Sequence, residues 1–331
     1  MQEYLKKTNA LYMIAAVGLL AANILSAVLA VVAPEFAQRF SIELSGLLEI
    51  IVVGLPAAIL LCRDQYAPFC LRFSWKSAGY HLITILPMAI GGFFFFTGLN
   101  GFVTYLFSLT GLNVDNSVAQ IVNGETPLWM LFLCIALIPG VVEEMLLRGF
   151  IMPGFSHLKK VRAILLSAFL FAFLHGQPIA FLVQLLLGIL LGYLCWESRC
   201  IYASMIYHTL HNGFTVLVLA IMNFAQRYIQ FPSEAMADAV LNAQSLGAML
   251  PAYLVMMVIG GVVLLISLIF FHQLCAQDRT AQVQKGLYAD EKVQSNLMPG
   301  AADEHPWTPL WIGLAASVLI NILGLIAQFA L

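Results

Sequence analysis

Hydrophobic residues run along this chain in long blocks with few polar interruptions. Runs near 9–32, 44–62, 79–99, 127–147, 201–223, 248–271 and 308–330 each approach or reach the ~17–25 apolar residues that a membrane-crossing helix needs. Two shorter runs, 161–175 and 178–195, are split by the helix-stopping sequence His175-Gly176-Gln177-Pro178. The pattern predicts an all-α, polytopic transmembrane helix bundle of about eight to nine spans. Around 98–126 it leaves Phe102–Leu109 open as a helix extension, a re-entrant turn or an amphipathic surface piece. Polar residues gather in 273–306, which reads as a loop before the last span, and the alternating segment 224–247 suits a helix lying on the interface. The chain thus divides into N-terminal helices (1–126), a continuous helical block (127–223) and C-terminal helices with the polar loop (224–331).

Composition agrees with a membrane protein. Of 331 residues, 61% are hydrophobic and 10% charged, against roughly 25% charged in a soluble domain; mean hydropathy is +0.91. The first span is too long for a signal peptide and lacks its small-residue cleavage site, so it is expected to remain in the chain. Lys6 and Lys7 precede it and place the N-terminus in the cytoplasm under the positive-inside rule. Alternating the spans from there puts 13 of the 15 Lys and Arg residues inside, leaving only Arg39 and Arg227 outside. A formal net charge of −2 gives no sign of a nucleic-acid partner. Six cysteines without CxxC spacing read as small apolar residues.

The chemistry-bearing residues lie where a membrane chain tolerates them least. They are Glu143, Glu144 and Arg148 in VVEEMLLRG, His175 in FLFAFLHG, and His208 and Asn212 in MIYHTLHNG. An ionisable group near the bilayer centre costs roughly 2.5–3.5 kcal/mol on insertion scales, so such groups face a partner or a watery cavity. Glu143 and Glu144 are adjacent and point about 100° apart on a helix. Glu144 and Arg148 are four apart with the acid first, the favourable order for an ion pair, which leaves Glu143 for chemistry. Pro139 and Gly140 upstream are expected to loosen the helix and admit water. His208 shares a helix face with Asn212, and Phe171 with His175; His211 is one residue off that face and reads as a bystander. Gly188 and Gly192 form a small-xxx-small stripe that lets a neighbouring helix approach. Counted from the nearest inner basic residue, Glu143, His208 and His175 lie roughly 7, 13 and 20 Å deep, at ~1.5 Å per residue.

Peptide hydrolysis needs a base to activate water and donors to hold the oxyanion. A glutamate withdrawn from water is suited to serve as base and then acid. Equally, Glu143, His175 and His208 are a candidate zinc-binding set, with the metal acidifying its bound water. No HExxH spacing occurs, and the residues alone leave metal-bound and metal-free versions open. Glu49, a lone acid in the second span, fits either a partner of the site or a group nearer the outer part of a cavity. The Phe93–Phe96 run reads as lipid-facing bulk.

In these residues the chain resembles the CPBP (CAAX protease and bacteriocin-processing, or Abi) family of intramembrane peptidases, related to the type II CAAX prenyl endopeptidases. The family's EExxxR motif matches Glu143, Glu144 and Arg148; FxxxH matches Phe171 and His175; HxxxN matches His208 and Asn212. The resemblance implies a core of about eight helices in a bacterial plasma membrane, with the site open toward cytoplasm and lipid. It also implies that Glu143 and His175 activate water, that His208 and Asn212 bind the oxyanion, and that the partner is a membrane-associated peptide or protein. Both metallopeptidase and metal-free glutamate descriptions exist for the family, so zinc stays open. The last span and the 273–306 loop lie outside the resemblance. Two other classes compete: a proton-coupled transporter, for which inverted repeats are not visible, and a non-catalytic immunity or scaffold relative, which would tend to lose site residues.

Overall fold

The computed structural model of the protein describes residues 2–63, 75–110, 126–155, 158–228, 243–284 and 307–329. Helices form at all nine places that the hydrophobic pattern marks, and no strand occurs among the described residues. They are α1 (Gln2–Val32), α2 (Ser41–Cys62), α3 (Trp75–Ser108), α4 (Leu128–Gly154), α5 (Lys160–Leu174), α6 (Phe181–Ser198), α7 (Ile201–Tyr228), α8 (Ala243–Gln284) and α9 (Thr308–Phe329). A short helix, Pro34–Arg39, joins α1 to α2. In hydrocarbon, backbone N–H and C=O groups must pair within their own segment, and a helix does so. The protein is an all-α, multi-pass integral membrane bundle.

Seven of these helices are long and apolar enough to cross a membrane. The two others are α5 and α7. With 15 residues, α5 extends only about 22 Å at ~1.5 Å per residue, short of a ~30 Å hydrocarbon layer. Helix α7 has the length, but His208, Thr209, His211 and Asn212 make it polar in the middle. Both carry or adjoin site residues, and both also present exposed apolar side chains such as Val161 and Ile221.

Three helix pairs form the frame: α3 with α8, α1 with α9, and α5 with α6. Glycines set the closest of these approaches. A β-carbon at Gly91 of α3 would lie 2.7 Å from the Leu264 amide of α8, and one at Gly98 would lie 2.9 Å from that of Met257. At the far end of α6, Glu197 receives Lys160 from α5, Arg279 from α8 at 2.6 Å and His272 at 3.4 Å. This network accounts for a difference from the sequence reading. Helix α8 does not give way to a loop at 273 but continues to Gln284. Its Gln- and Ala-rich continuation has good helix propensity, and Arg279 fastens it. Phe102–Ser108 likewise continues α3, so the helix-extension alternative holds there. Most of the expected interface helix (224–247) and the rest of the polar loop (285–306) lie outside the described residues.

Candidate active site

Helix α4 presents the two acids between two widened turns. At Phe132–Leu137 and Leu147–Ile151 the backbone bonds run five residues back instead of four, as in Ile138 N–H to Leu133 O and Met152 N–H to Leu147 O. Such π-type turns concentrate at functional sites because they re-aim the residues beside them. Pro139 follows the first and, having no N–H, offers nothing to the Ile135 carbonyl four residues back. The Pro139-Gly140 pair does not open the helix to water there. A β-carbon at Gly140 would lie 2.9 Å from the Thr209 amide, so α7 is pressed against it.

Glu144 points inward and forms a fully buried pair with Arg148, Oε1 to Nη1 at 2.8 Å. Arg148 Nη2 donates to the Gly188 carbonyl of α6 at 2.9 Å, and its guanidinium lies 4.8 Å over the Phe171 ring. The glycine stripe makes this reach feasible, since a β-carbon at Gly188 would meet the Ala168 Cα and Phe171 Cδ1 of α5 at 3.0 Å. Gly188→Leu is therefore expected to force α5 and α6 apart and strip Arg148 of an acceptor. Overpacking of this kind costs about 1–3 kcal/mol, which a lowered melting temperature in detergent would register. Gly247→Ala, whose added carbon has an ordinary 3.5 Å contact with Tyr105, should leave the melting temperature unchanged.

Glu143 points the other way, into the space between α5 and α7. Its Oε1 lies 3.9 Å from His175 Nε2 and its Oε2 lies 3.8 Å from His208 Nε2. Glu143 and His175 are about one-fifth exposed, while His208 is 2% exposed, so access is from the Glu143–His175 side. His175 Nδ1 is 2.8 Å from the Phe171 carbonyl, which can only accept; that nitrogen is the donor, and in the neutral ring Nε2 is the acceptor facing Glu143. His208 Nδ1 is 3.2 Å from Glu144 Oε1. A carboxylate there likewise only accepts, so Nδ1 is the donor. Glu144 thus does more than hold Arg148: it orients His208, a link across 64 residues that no local spacing reveals. Phe171 packs edge-on against both imidazoles, with centroids 4.4 Å from His175 and 5.9 Å from His208.

Asn212 stands one turn beyond His208, and its Nδ2 donates to the Ile135 carbonyl at 3.2 Å, the acceptor that Pro139 leaves over. Among the described residues no acceptor is seen for its second N–H. His211 is packed elsewhere, stacked on Tyr207 and edge-on to Phe93 and Phe96. Those two phenylalanines are therefore not lipid-facing as the sequence suggested; within the run only Phe94 is well exposed. Glu49 lies on α2 just before a third widened turn at Ile50–Gly54, in the stretch of α2 that packs against α4. One oxygen each of Glu49 (Oε1) and Glu143 (Oε2) is buried without a hydrogen-bond partner.

The zinc set can be tested on this geometry. Neighbouring donors around a tetrahedral zinc with ~2.0–2.1 Å bonds lie about 3.3 Å apart, whereas Glu143 is 3.8 and 3.9 Å from the two histidines. Among the described residues no group of three His, Cys, Asp or Glu side chains is arranged to hold a metal ion. As placed, the side chains stand wider apart than zinc ligands do. The distances are also too long for a direct hydrogen bond, and a water seated beside the groups can bond the carboxylate and an imidazole together.

Every residue of this cluster except Glu49 lies on α4 to α7. Residues 125–214 match the family model described as Rce1-like, type II CAAX prenyl endopeptidase Rce1-like. The match agrees with the family that the motifs suggested and supports a protease. No curated protein and no solved structure matches the chain. The Rce1-like segment contains Glu143, Glu144, Arg148, Phe171, His175, His208 and Asn212, and it leaves α1, α2, α3, α8 and α9 outside.

Proposed function

We propose that the protein is an intramembrane endopeptidase of the glutamate type, hydrolysing a peptide bond of a membrane-associated substrate such as a lipidated tail, a leader peptide or a membrane-bound regulator. The observation that carries this reading is the single carboxylate of Glu143 facing two imidazole Nε2 atoms at 3.9 and 3.8 Å. A water there gives its proton to Glu143 as it attacks the peptide carbonyl, with the bare Nε2 of His175 accepting its other hydrogen bond. The oxyanion then needs donors. His208 serves when its ring is doubly protonated, because Nδ1–H is committed to Glu144 and only a second proton makes Nε2 a donor. Asn212 offers its remaining N–H, while its bond to Ile135 locks α7 to α4. Collapse of the tetrahedral intermediate breaks the C–N bond, and the proton held by Glu143 passes to the leaving amine.

The distribution of Lys and Arg, 13 of 15 on one side of the predicted spans, supports a site in the cytoplasmic half of the membrane. Removal of one oxyanion donor costs ~10²–10³ in turnover. His208→Ala is expected to lower kcat by about that factor with KM largely kept.

The test is incubation of the purified protein in liposomes with lipidated and leader-type peptides, read by mass spectrometry. Cleavage that persists with a zinc chelator is the expected result. Cleavage abolished by chelator and restored by zinc would replace the glutamate mechanism with a metal one. Ion flux in sealed vesicles without new peptide termini would replace the hydrolase with a transporter.

A further inference from the structure

His175 is the first residue past α5, and its position depends on how that helix end is finished. The last four carbonyls of a helix have no partner within it, and in a membrane bundle lipid cannot serve them. Phe171 O is taken by the His175 ring itself. Phe173 O is taken by a residue 148 positions away, Asn321 of α9, whose Nδ2 donates to it at 2.8 Å. The same Nδ2 donates to Ser317 O at 2.8 Å, so both of its N–H groups are committed. On the other side of His175, Gly176 turns the chain with φ of 61°, the left-handed conformation that glycine adopts at a helix end. There α9 makes contact again. A side chain at Gly324 would strike the Gly176 carbonyl, and Ile320 packs where a side chain at Gly176 would stand.

Helix α9 is in turn anchored away from the site. Ser317, fully buried, hydrogen-bonds Tyr12 of α1 at 2.9 Å, and Gly313 makes room for the Tyr12 ring. The chain of contacts therefore runs from α1 through α9 to the residues on either side of His175. None of α1 or α9 falls within the segment that matches the Rce1-like model.

We propose that α9 is a working part of the active site, and that Asn321 and Gly324 are positioning residues which hold His175 at its distance from Glu143. The inference rests on the hydrolase reading above. Asn321 acts through the backbone of Phe173. Displacement of a reacting group by about 1 Å can cost on the order of 10²-fold in rate. Asn321→Leu, which keeps the branched shape and removes both donors, is expected to lower kcat about 10- to 100-fold with KM close to wild type and a modestly lowered melting temperature, since the Phe173 carbonyl is left unpaired. The decisive readout is the same substitution in a His175→Ala background, measured on residual turnover. If Asn321 acts through His175, it has nothing left to position, and the residual rate should change less than about two-fold.

Wild-type turnover in Asn321→Leu, or an equal loss in both backgrounds, would overturn the proposal. Should Asn321→Leu give no folded protein, Gly324→Ala carries the test. Its β-carbon presses on the Gly176 carbonyl and should lower kcat at least about ten-fold, with a lowered melting temperature, in a protein still folded at the assay temperature; unchanged kcat would overturn the proposal. A wild-type protein that cleaves no peptide would instead sink the hydrolase reading itself, before any variant is compared.

Discussion

Glu143→Gln is expected to leave a folded, membrane-inserted protein whose peptide turnover falls by about 10²–10⁴-fold, the range that a general base contributes. The substitution keeps shape and volume and removes only the capacity to take a proton from water. Among the described residues Glu143 makes no direct hydrogen bond, and the imidazole nitrogens facing it stand at 3.8 and 3.9 Å. Substrate binding should persist, so the loss should appear in kcat with KM little changed. Circular dichroism and thermal melting check the fold, and a single-turnover assay checks the chemistry. Normal turnover in a verified Glu143→Gln preparation would mean that another group is the base.

The second large effect is on stability. Arg148 is fully buried, paired with Glu144 and bonded to Gly188 O. Arg148→Met leaves the Glu144 carboxylate buried opposite a methyl thioether, and breaking a buried ion pair from one side costs about 3–5 kcal/mol. The expected result is a steep fall in the yield of monodisperse protein and in its melting temperature. Replacing both partners, as Glu144→Leu with Arg148→Met, should recover much of that stability, because apolar substitutes for a buried pair are often neutral or better. Activity should not return with it. His208 Nδ1 would have lost its acceptor, and the ring would no longer be held with Nε2 toward Glu143. A double variant that is stable and fully active would show that Glu144 has no part in orienting His208.

These two residues show how much the sequence could tell. Glu143, His175 and His208 stood out because a titratable group in an apolar run is costly enough to need a reason. The division between Glu143 and Glu144 followed from their opposite faces and the favourable spacing to Arg148. The helices themselves were legible for the same reason that hydropathy works in membranes. What stayed hidden depends on distance along the chain. The Glu144–His208 bond joins α4 to α7, the Asn321–Phe173 bond joins α9 to α5, and no periodicity encodes either. The widened turns around the acids leave no local signature, although Pro139 marks the carbonyl that Asn212 serves. The continuation of α8 past 273 was missed because a polar stretch reads as loop when the Glu197 carboxylate that anchors it is far away in sequence.

The central claim is that Glu143 activates water for attack on a peptide carbonyl, and isotope incorporation tests it most directly. Cleavage of a membrane-associated peptide in ¹⁸O-labelled water, carried to a single turnover, should place one ¹⁸O in the new carboxyl terminus with wild-type protein, and Glu143→Gln should yield almost no labelled product in the same time. Product formed by the wild type without ¹⁸O at that terminus, or labelled product formed equally fast by Glu143→Gln, would contradict the account.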